Sequence, residues 1–366
     1  MVRISGIEIY HEKIRYKEPF RIALGTSTES NNIVVRLVDS SGNEGWGEGS
    51  PSRAILGETL DLVFEEAKKL AAEILGKDLD SEGLYEIVMK SKSPSAAAAF
   101  DIAFHDLKAK RLGVPLYKLL GGYRSSIETD ITIGIMEPDE VAERAEKYVK
   151  MGFKVLKIKL GEKPEKDLLR IEKVRERIGD KIGIRVDANQ GWSVEEAIYM
   201  AEQLESFNVE LIEQPVKWND FEGLAKVRKA SNIPVAADES AKTPSDVVKL
   251  AKIDAVDIVN IKLMKTRGIW GAIKVAAVSE AAGIKNMIGC MGETRLGITA
   301  AVHVSQALAN ITINDLDSDL LHGEEVVIEG GASISNGVRR AGDRPGLGIV
   351  KLDMSKLRLI SRYGKV

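Results

Sequence analysis

The sequence predicts an α/β protein in which a modified (β/α)8-type barrel carries an N-terminal α+β capping domain. Three features of the 366-residue chain lead to this prediction. Strand-like alternation of apolar and polar residues precedes helical periodicity near the start of the chain. Short apolar strands then recur roughly every 25 residues, each followed by an amphipathic helix. The end of the chain contains no further unit of this kind.

The three parts of the chain have predicted boundaries. We expect the capping domain over residues 1–125, the barrel over residues 126–320, and a tail that packs back on the capping domain over residues 321–366. In the first part, alternation predicts two strands, at Val2–Tyr10 and Ile33–Asp39. Helical periodicity follows over residues 60–75, 81–90 and 95–112.

Eight short apolar segments carry the barrel prediction. Because a helix follows each strand, the strands should be parallel and should close into a TIM-like barrel. A doubly wound open sheet is the alternative, but it requires a glycine-rich phosphate turn after the first strand, and IGIM at 133–136 is not one. The predicted strands are Thr129–Ile135, Val155–Leu160, Gly183–Asp187, Val209–Glu213, Pro234–Asp238, Asp257–Leu263, Asn286–Cys290 and Asn310–Asp315.

Composition and charge exclude several classes of function. Lys and Arg number 52 against 55 Asp and Glu, and the net charge of −3 gives no field for attracting nucleic acid or an anionic membrane. No run of about 18 apolar residues is present, so we expect no membrane-spanning helix. Cys290 is the one cysteine, which excludes an internal disulfide and favours a reducing, cytoplasmic location. The expected partner is a small molecule, and the chain is predicted to form a homo-oligomer.

Three carboxylates stand at the ends of consecutive predicted barrel strands. Asp187, Glu213 and Asp238 follow the apolar segments IGIRV, VELI and PVAA. Strand ends of a barrel meet at one site, where three acids would repel one another unless a cation lay between them. Hard oxygen ligands without nearby Cys or His favour Mg²⁺ over Zn²⁺, so one Mg²⁺ per subunit is predicted. The alternative for any single acid is a helix N-cap; Glu239, next to Asp238, should point away and play a supporting part.

Three lysines on two predicted strands suit proton transfer. Lys157 and Lys159 lie two residues apart, so both should face the barrel interior, where each cation lowers the pKa of the other. Lys262 lies on the sixth strand, half a circle from the second, and should approach a central substrate from the opposite face. Two bases on opposite faces suit racemisation or epimerisation, with the metal and neighbouring cations stabilising an enediolate. The alternatives are an amphipathic strand with exposed lysines and, for Lys262, a partner for a strand-end acid.

A second acidic pair ends the eighth strand. Asp315 and Asp317 flank Leu316, so their carboxylates share one face of the strand. The eighth strand lies opposite the fourth, the middle of the acid cluster. A substrate whose carboxylate lies on the metal would extend its other end toward this pair, and a free ammonium fits there. The alternative is that the two acids belong to the polar rim of the barrel.

These motifs together resemble the enolase superfamily, in its muconate-lactonising subgroup, over nearly the whole chain. Within the subgroup, the DxD of strand eight resembles that of the dipeptide epimerases, in which it binds the substrate's N-terminal ammonium; Asp315 and Asp317 are its equivalents. The resemblance implies that Lys159 takes the proton of the L-isomer and Lys262 that of the D-isomer, while Lys157 holds the substrate carboxylate. The matching segments are GWGEGSP at 45–51, LGGYR at 120–124, VLKIK at 155–159, VDANQGW at 186–192, IEQPV at 212–216, ADES at 237–240, NIKLMK at 260–265 and PGLG at 345–348.

The resemblance also indicates which residues contact the second residue of a dipeptide. Epimerases acting on L-Ala-L-Glu commonly carry, in a loop before the second strand, an Arg where this chain has Gly25, and that Arg pairs with the Glu carboxylate. Its absence, with room left by Gly292, favours a hydrophobic or aromatic second residue. Gly25, Thr26, Met291 and Gly292 are the predicted substrate-binding residues. We expect two segments of the capping domain to close over the barrel mouth, at residues 25–32 and 50–57.

The predicted activity is therefore that of an isomerase, which converts L-Ala-L-Xaa to L-Ala-D-Xaa by two-base 1,1-proton transfer with Mg²⁺. An L-Ala-D/L-Glu epimerase is one alternative. An N-acylamino-acid racemase or an o-succinylbenzoate synthase is another, although neither needs an acidic pair facing a free amine. A barrel that binds a ligand without catalysis is the last, and the complete set of lysines and acids argues against it.

Overall fold

The computed structural model describes all residues, 1–366, and begins with an antiparallel sheet. Strands β1 (Val2–Ile22) and β2 (Gly25–Asp39) form one long hairpin, and β3 (Glu44–Gly49) pairs with β2. The first two strands are far longer than predicted, so the segment expected as a loop at 25–32 is paired strand. Pro19 obscured the continuation in the sequence; the register shifts between Arg15 and Phe20, which lets the strand pass a residue without an N–H.

Helices cover one face of this sheet. Glycines on β3 allow a close approach, since a Cβ at Gly47 would lie 2.1 Å from the carbonyl oxygen of Ala99. The alanine-rich helix that packs there therefore lies directly on the strand backbone. A short strand β4 (Asp78–Leu79) pairs with the start of β1. The helices of this part are α1 (Arg53–Leu56), α2 (Leu60–Ile74), α3 (Ser81–Val88), α4 (Pro94–Leu112, the one against β3) and α5 (Leu116–Leu120).

Eight parallel strands in sequential order form the second part, as predicted. Preceded by β5 (Ile127–Glu128), they are β6 (Ile131–Ile133), β7 (Val155–Lys159), β8 (Gly183–Asp187), β9 (Val209–Glu213), β10 (Val235–Ala237), β11 (Ile258–Lys262), β12 (Lys285–Gly289) and β13 (Ile311–Asn314). The helices that follow them are α6 (Pro138–Lys150), α7 (Pro164–Ile178), α8 (Val194–Glu205), α9 (Phe221–Ala230), α10 (Pro244–Lys252), α11 (Ile269–Ala281), α12 (Arg295–Ala307) and the short α13 (Ser318–Leu321).

The two edges of the eight-stranded sheet are joined by backbone and side-chain hydrogen bonds. The N–H of Asp130 donates to the carbonyl oxygen of Asn314 at 3.2 Å, and the N–H of Leu316 donates to the Thr129 hydroxyl at 2.9 Å. The sheet thus curls into a barrel whose last joint uses side chains as well as backbone. Apolar side chains fill the space between strands and helices. None of the helices combines the length and the apolar composition that a membrane-spanning segment requires.

The residues after α13 return to both earlier parts of the chain. They form β14 (Val327–Gly330), β15 (Ser333–Ser335), β16 (Val338–Arg340), β17 (Ile349–Leu352), a 3₁₀ helix (Met354–Lys356) and β18 (Leu357–Gly364). β16 pairs with β5 beside the barrel, whereas β18 pairs antiparallel with β1 of the first sheet. The last strand therefore ties the end of the chain to the capping sheet.

Candidate active site

The three strand-end acids converge inside the barrel mouth. Asp187 ends β8, Glu213 ends β9 and Asp238 follows β10, and all three are completely buried. One oxygen from each lies within 4.8 Å of the others, a spacing that could hold a metal ion. Burial and the neighbouring Asp187 raise the pKa of Glu213, because two anions are held side by side in a dry site.

The donor set of this cluster fits one Mg²⁺. All three side chains offer hard oxygen ligands, and neither His nor Cys belongs to the cluster. Oε2 of Glu213 is buried without a well-aligned hydrogen-bond donor, although the Lys157 ammonium lies 2.7 Å away. Asn260 donates to the other oxygen of Glu213 at 2.7 Å and so fixes the carboxylate. The three carboxylates together therefore offer a cation a set of closely spaced oxygen ligands.

Lys157 and Lys159 both point into the barrel, as their spacing predicts. Lys159 donates to Asp187 at 2.6 Å and lines the cavity above. Lys157 lies deeper, 2.7 Å from Asp315 and 3.2 Å from Asp187. The expected lowering of the pKa by paired cations is wrong for Lys157: burial acts in that direction, but Asp315, Glu213 and Asp187 together raise the pKa above its ordinary value.

Lys262 approaches from the other side of the barrel. β7 and β11 are four places apart in the order of eight strands, so Lys159 and Lys262 face each other across the mouth. Lys262 donates to Asp238 at 2.7 Å and lines the same cavity as Lys159. Burial favours the neutral amine, but the charge of Asp238 outweighs it and raises the pKa of Lys262.

Asp315 and Asp317 lie on the adjoining wall. Oδ1 of Asp315 accepts from the Thr132 hydroxyl at 3.1 Å, and Oδ2 of Asp317 accepts from the Thr132 N–H at 2.5 Å. Asp315 also accepts from Lys157 at 2.7 Å, so one of its oxygens is already paired with a cation of the protein, while the residue still lines the cavity. The other oxygen of Asp317 lies 3.6 Å from the Cys290 thiol, and both residues line the cavity.

A cavity of about 730 Å³ opens above these groups. The β1–β2 hairpin and the segment around α1 form its outer wall, where the sequence predicted closing segments. Gly25, Thr26, Met291 and Gly292 all line it. The sequence predicted free space beside Gly292 for a substrate side chain. The Tyr16 hydroxyl occupies that space, since a Cβ on Gly292 would lie 2.7 Å from its oxygen.

Sequence reasoning missed two buried groups of the site, Lys265 and Asn189. Lys265 donates to Oδ1 of Asp238 at 2.5 Å and to its carbonyl oxygen at 2.6 Å. Its signal was in the NIKLMK segment, because Lys265 falls one helical turn after Lys262 where the strand has ended. Asn189 donates to Glu239 at 3.2 Å, and burial beside Asp238 raises the pKa of Glu239 to about 7.

A capped barrel with a metal-binding acid cluster between two opposed lysines defines a class of enzymes that remove a proton next to a carboxylate. Comparison with known proteins agrees with this class. Residues 4–121 match the family described as mandelate racemase/muconate lactonizing enzyme, N-terminal domain, and residues 140–355 match the enolase C-terminal domain-like family. The chain belongs to the muconate-lactonising subgroup of the enolase superfamily, as its motifs predicted.

Individual relatives are similar along their whole length. A hydrophobic dipeptide epimerase of Enterococcus faecalis is 41% identical, over 95% of this chain and 99% of its own. A substrate-liganded L-Ala-D/L-Glu epimerase of Bacillus subtilis has a TM-score of 0.92 at 39% identity, covering 96% of this chain and 99% of that one. The Enterococcus faecalis dipeptide epimerase, solved with Mg and L-Leu-L-Tyr, has a TM-score of 0.91 at 40% identity, covering 95% and 100%.

Proposed function

We propose that the chain is a Mg²⁺-dependent dipeptide epimerase that inverts the α-carbon of the C-terminal residue. One observation carries the proposal: Lys159 and Lys262 line a single cavity from opposite sides, and Asp317 lines its third wall. A dipeptide has the three groups that this arrangement suits, namely a carboxylate, an α-proton next to it and a free ammonium. The relatives named as dipeptide epimerases support the same activity.

In this proposal the protein's own residues move the proton. Lys159 takes it from the L-isomer and Lys262 returns one to the opposite face; the D-isomer reacts in reverse. Lys157 lies below the cavity wall, holds the substrate carboxylate through its charge and takes no proton. Asp187, Glu213 and Asp238 would hold the Mg²⁺, which when bound would supply the positive charge that acidifies the α-proton.

The second residue of the dipeptide is proposed to be hydrophobic or aromatic. The hairpin tip and the α1 segment present apolar side chains to the cavity, among them Phe20, Leu24 and Ile55. Gly25 leaves open space, with no atom within 4 Å of a Cβ placed on it. Apolar walls favour an apolar side chain, since burying a polar one without a partner costs free energy.

The experiment is a dipeptide library incubated with the holoenzyme in D₂O and read by mass spectrometry and chiral chromatography. L-Ala paired with Leu, Phe or Tyr should gain one deuterium and appear as both isomers, and EDTA should abolish the exchange. N-acetyl amino acids serve as matched ligands without the ammonium, and we expect no exchange in them. Exchange in N-acyl substrates alone would replace the proposal with an N-acylamino-acid racemase.

We assign catalysis to residues 126–320 and the closing of the cavity to residues 1–125, with the tail at 321–366 joining the two. We also propose a cytoplasmic location, which the single cysteine supports.

A further inference from the structure

Tyr16, on the hairpin strand β1, is held rigidly over the cavity. Its ring stacks on His322 with centroids 5.1 Å apart and an angle of 4° between planes. An antiparallel backbone bridge joins the same two residues, and Ser30 Oγ lies 3.3 Å from His322 Nε2. Burial lowers the pKa of His322 to about 4, so the imidazole is neutral at neutral pH. The Tyr16 ring therefore rests on an uncharged, fixed platform.

The hydroxyl of Tyr16 has no partner in the protein, although the side chain lines the cavity. By contrast, the hydroxyl of Tyr10 donates to Glu8 at 2.7 Å. The Tyr16 oxygen lies only 2.7 Å from the position that a Cβ of Gly292 would occupy, so a side chain there would collide with it. Burial raises the pKa of Tyr16, so the phenol keeps its proton and can donate it in a hydrogen bond. The glycine thus makes room for the hydroxyl, which is left free for a ligand.

We propose that the Tyr16 hydroxyl donates a hydrogen bond to the peptide carbonyl oxygen of the bound dipeptide. This inference rests on the proposed function. The hydroxyl lies against Gly292, just after β12, and β12 is the strand between Lys262 on β11 and Asp317 beyond β13. A dipeptide with its ammonium at Asp317 and its reacting carbon at Lys262 must carry its peptide bond across the end of β12.

The role predicts a particular kinetic signature. The carbonyl accepts the hydrogen bond equally before and during proton transfer, because the reaction occurs at the neighbouring residue. Such uniform binding affects KM and leaves kcat nearly unchanged. The loss of one neutral hydrogen bond should raise KM by about 3- to 10-fold.

The test combines Tyr16→Phe with a ligand that lacks the carbonyl. L-Ala-L-Leu is compared with its trans-alkene isostere, which keeps the shape of the dipeptide, and inhibition constants are measured on the Mg²⁺-loaded enzyme. Tyr16→Phe should raise the KM of L-Ala-L-Leu by about 3- to 10-fold and leave the inhibition constant of the isostere unchanged. Tyr117→Phe is the control, since its hydroxyl bonds to Asp343 at 3.2 Å outside the site and its loss should alter neither ligand.

Gly292→Ala provides an independent variant. The added methyl should displace the Tyr16 hydroxyl and raise KM as Tyr16→Phe does, while the double variant should be no worse than either single one. An unchanged KM in Tyr16→Phe would overturn the assignment, as would an equal loss of affinity for the dipeptide and for the isostere. If the parent enzyme epimerises no dipeptide, the proposed function has failed and this inference falls with it.

Discussion

Asp315 and Asp317 share a strand end, yet their surroundings shift their pKa values in opposite directions. Burial alone would raise both. The ammonium of Lys157 outweighs it at Asp315 and lowers that pKa. At Asp317, burial and the repulsion of Asp315 raise the pKa to about 6. Asp317 is therefore the member of the pair whose charge changes near neutral pH.

This difference predicts an acid limb in the pH profile. Asp317 must be ionised to attract a substrate ammonium, so kcat/KM for L-Ala-L-Leu should fall about tenfold per pH unit below about pH 6. The profile is measured from pH 5 to 8, with enzyme preincubated at pH 5 and returned to pH 7.5 as the stability control. A flat profile down to pH 5 would exclude Asp317 as the ammonium ligand.

At the scale of residues, identity and position along a strand were sufficient to predict the acid cluster and the facing lysines. Strand-end placement alone brings Asp187, Glu213 and Asp238 together. The direction of the pKa shift of Lys157 could not be predicted from the sequence. Burial lowers this pKa and nearby carboxylates raise it, so the outcome depends on how many carboxylates surround the ammonium. The sequence analysis also assigned the space beside Gly292 to the substrate. It could not show that Tyr16 fills this space, because Tyr16 lies on β1, far from Gly292 in the chain.

At the scale of elements, the β1–β2 hairpin is what brings the capping domain to the chemistry. Residues 25–32, predicted as a loop, are paired strand, so the tip is held in place by backbone hydrogen bonds. Gly25 lies at the tip with a φ of +144°, a conformation that side chains rarely adopt. The barrel strands were predicted to within a few residues because each is a short apolar run between helices, whereas the hairpin lacks such a pattern.

Gly25→Arg should change specificity. A guanidinium at the tip would pair with a Glu side chain, raising the kcat/KM ratio of L-Ala-L-Glu to L-Ala-L-Leu by at least about tenfold. Gly42→Arg is a matched control, because Gly42 has a φ of +82° and equally open surroundings in the turn after β2. The ratio is measured by competition of the two dipeptides in D₂O. An equal kcat/KM ratio in both variants would show that the hairpin tip does not contact the side chain of the second residue.

At the scale of the whole molecule, a buried carboxylate joins the capping sheet to the barrel. Glu48, on β3, accepts from the N–H and hydroxyl of Thr294 at 2.8 Å each and from the N–H of Gly297 at 2.7 Å. It thereby caps the N-terminus of α12, a helix of the barrel. The segment before this helix contains Met291 and Gly292, so the cap also steadies the cavity wall.

Glu48→Ala should lower the free energy of unfolding by about 2 kcal/mol or more, because four buried donors, including the Asn32 amide at 2.6 Å, lose an acceptor. Glu44→Ala on the same strand is the comparison. Its side chain is 42% exposed and pairs with Arg36, so its loss should cost about 1 kcal/mol or less. Urea unfolding of both variants measures the difference. Equal stabilities would mean that the two parts are held together elsewhere.

The barrel and a separate cap could be predicted from the sequence because their hydrophobic periods differ. How the two parts dock could not, since contacts such as Glu48 to Thr294 join residues far apart in the chain. The return of β18 to β1 was expected only as a tail packing on the cap, and its pairing register depends on the whole fold. The expected homo-oligomer stays a prediction.

The central claim is that two lysines on opposite faces share one epimerisation. The most direct measurement is Lys262→Ala with an L,L-dipeptide and Mg²⁺ in D₂O. We expect epimerisation to fall by at least about 10²–10⁴-fold, while washout of the α-proton continues because Lys159 still removes it and returns a deuteron to the same face. Lys159→Ala with the L,D-dipeptide should behave in the mirror-image way. Epimerisation near the parent rate in either variant would contradict the two-base account.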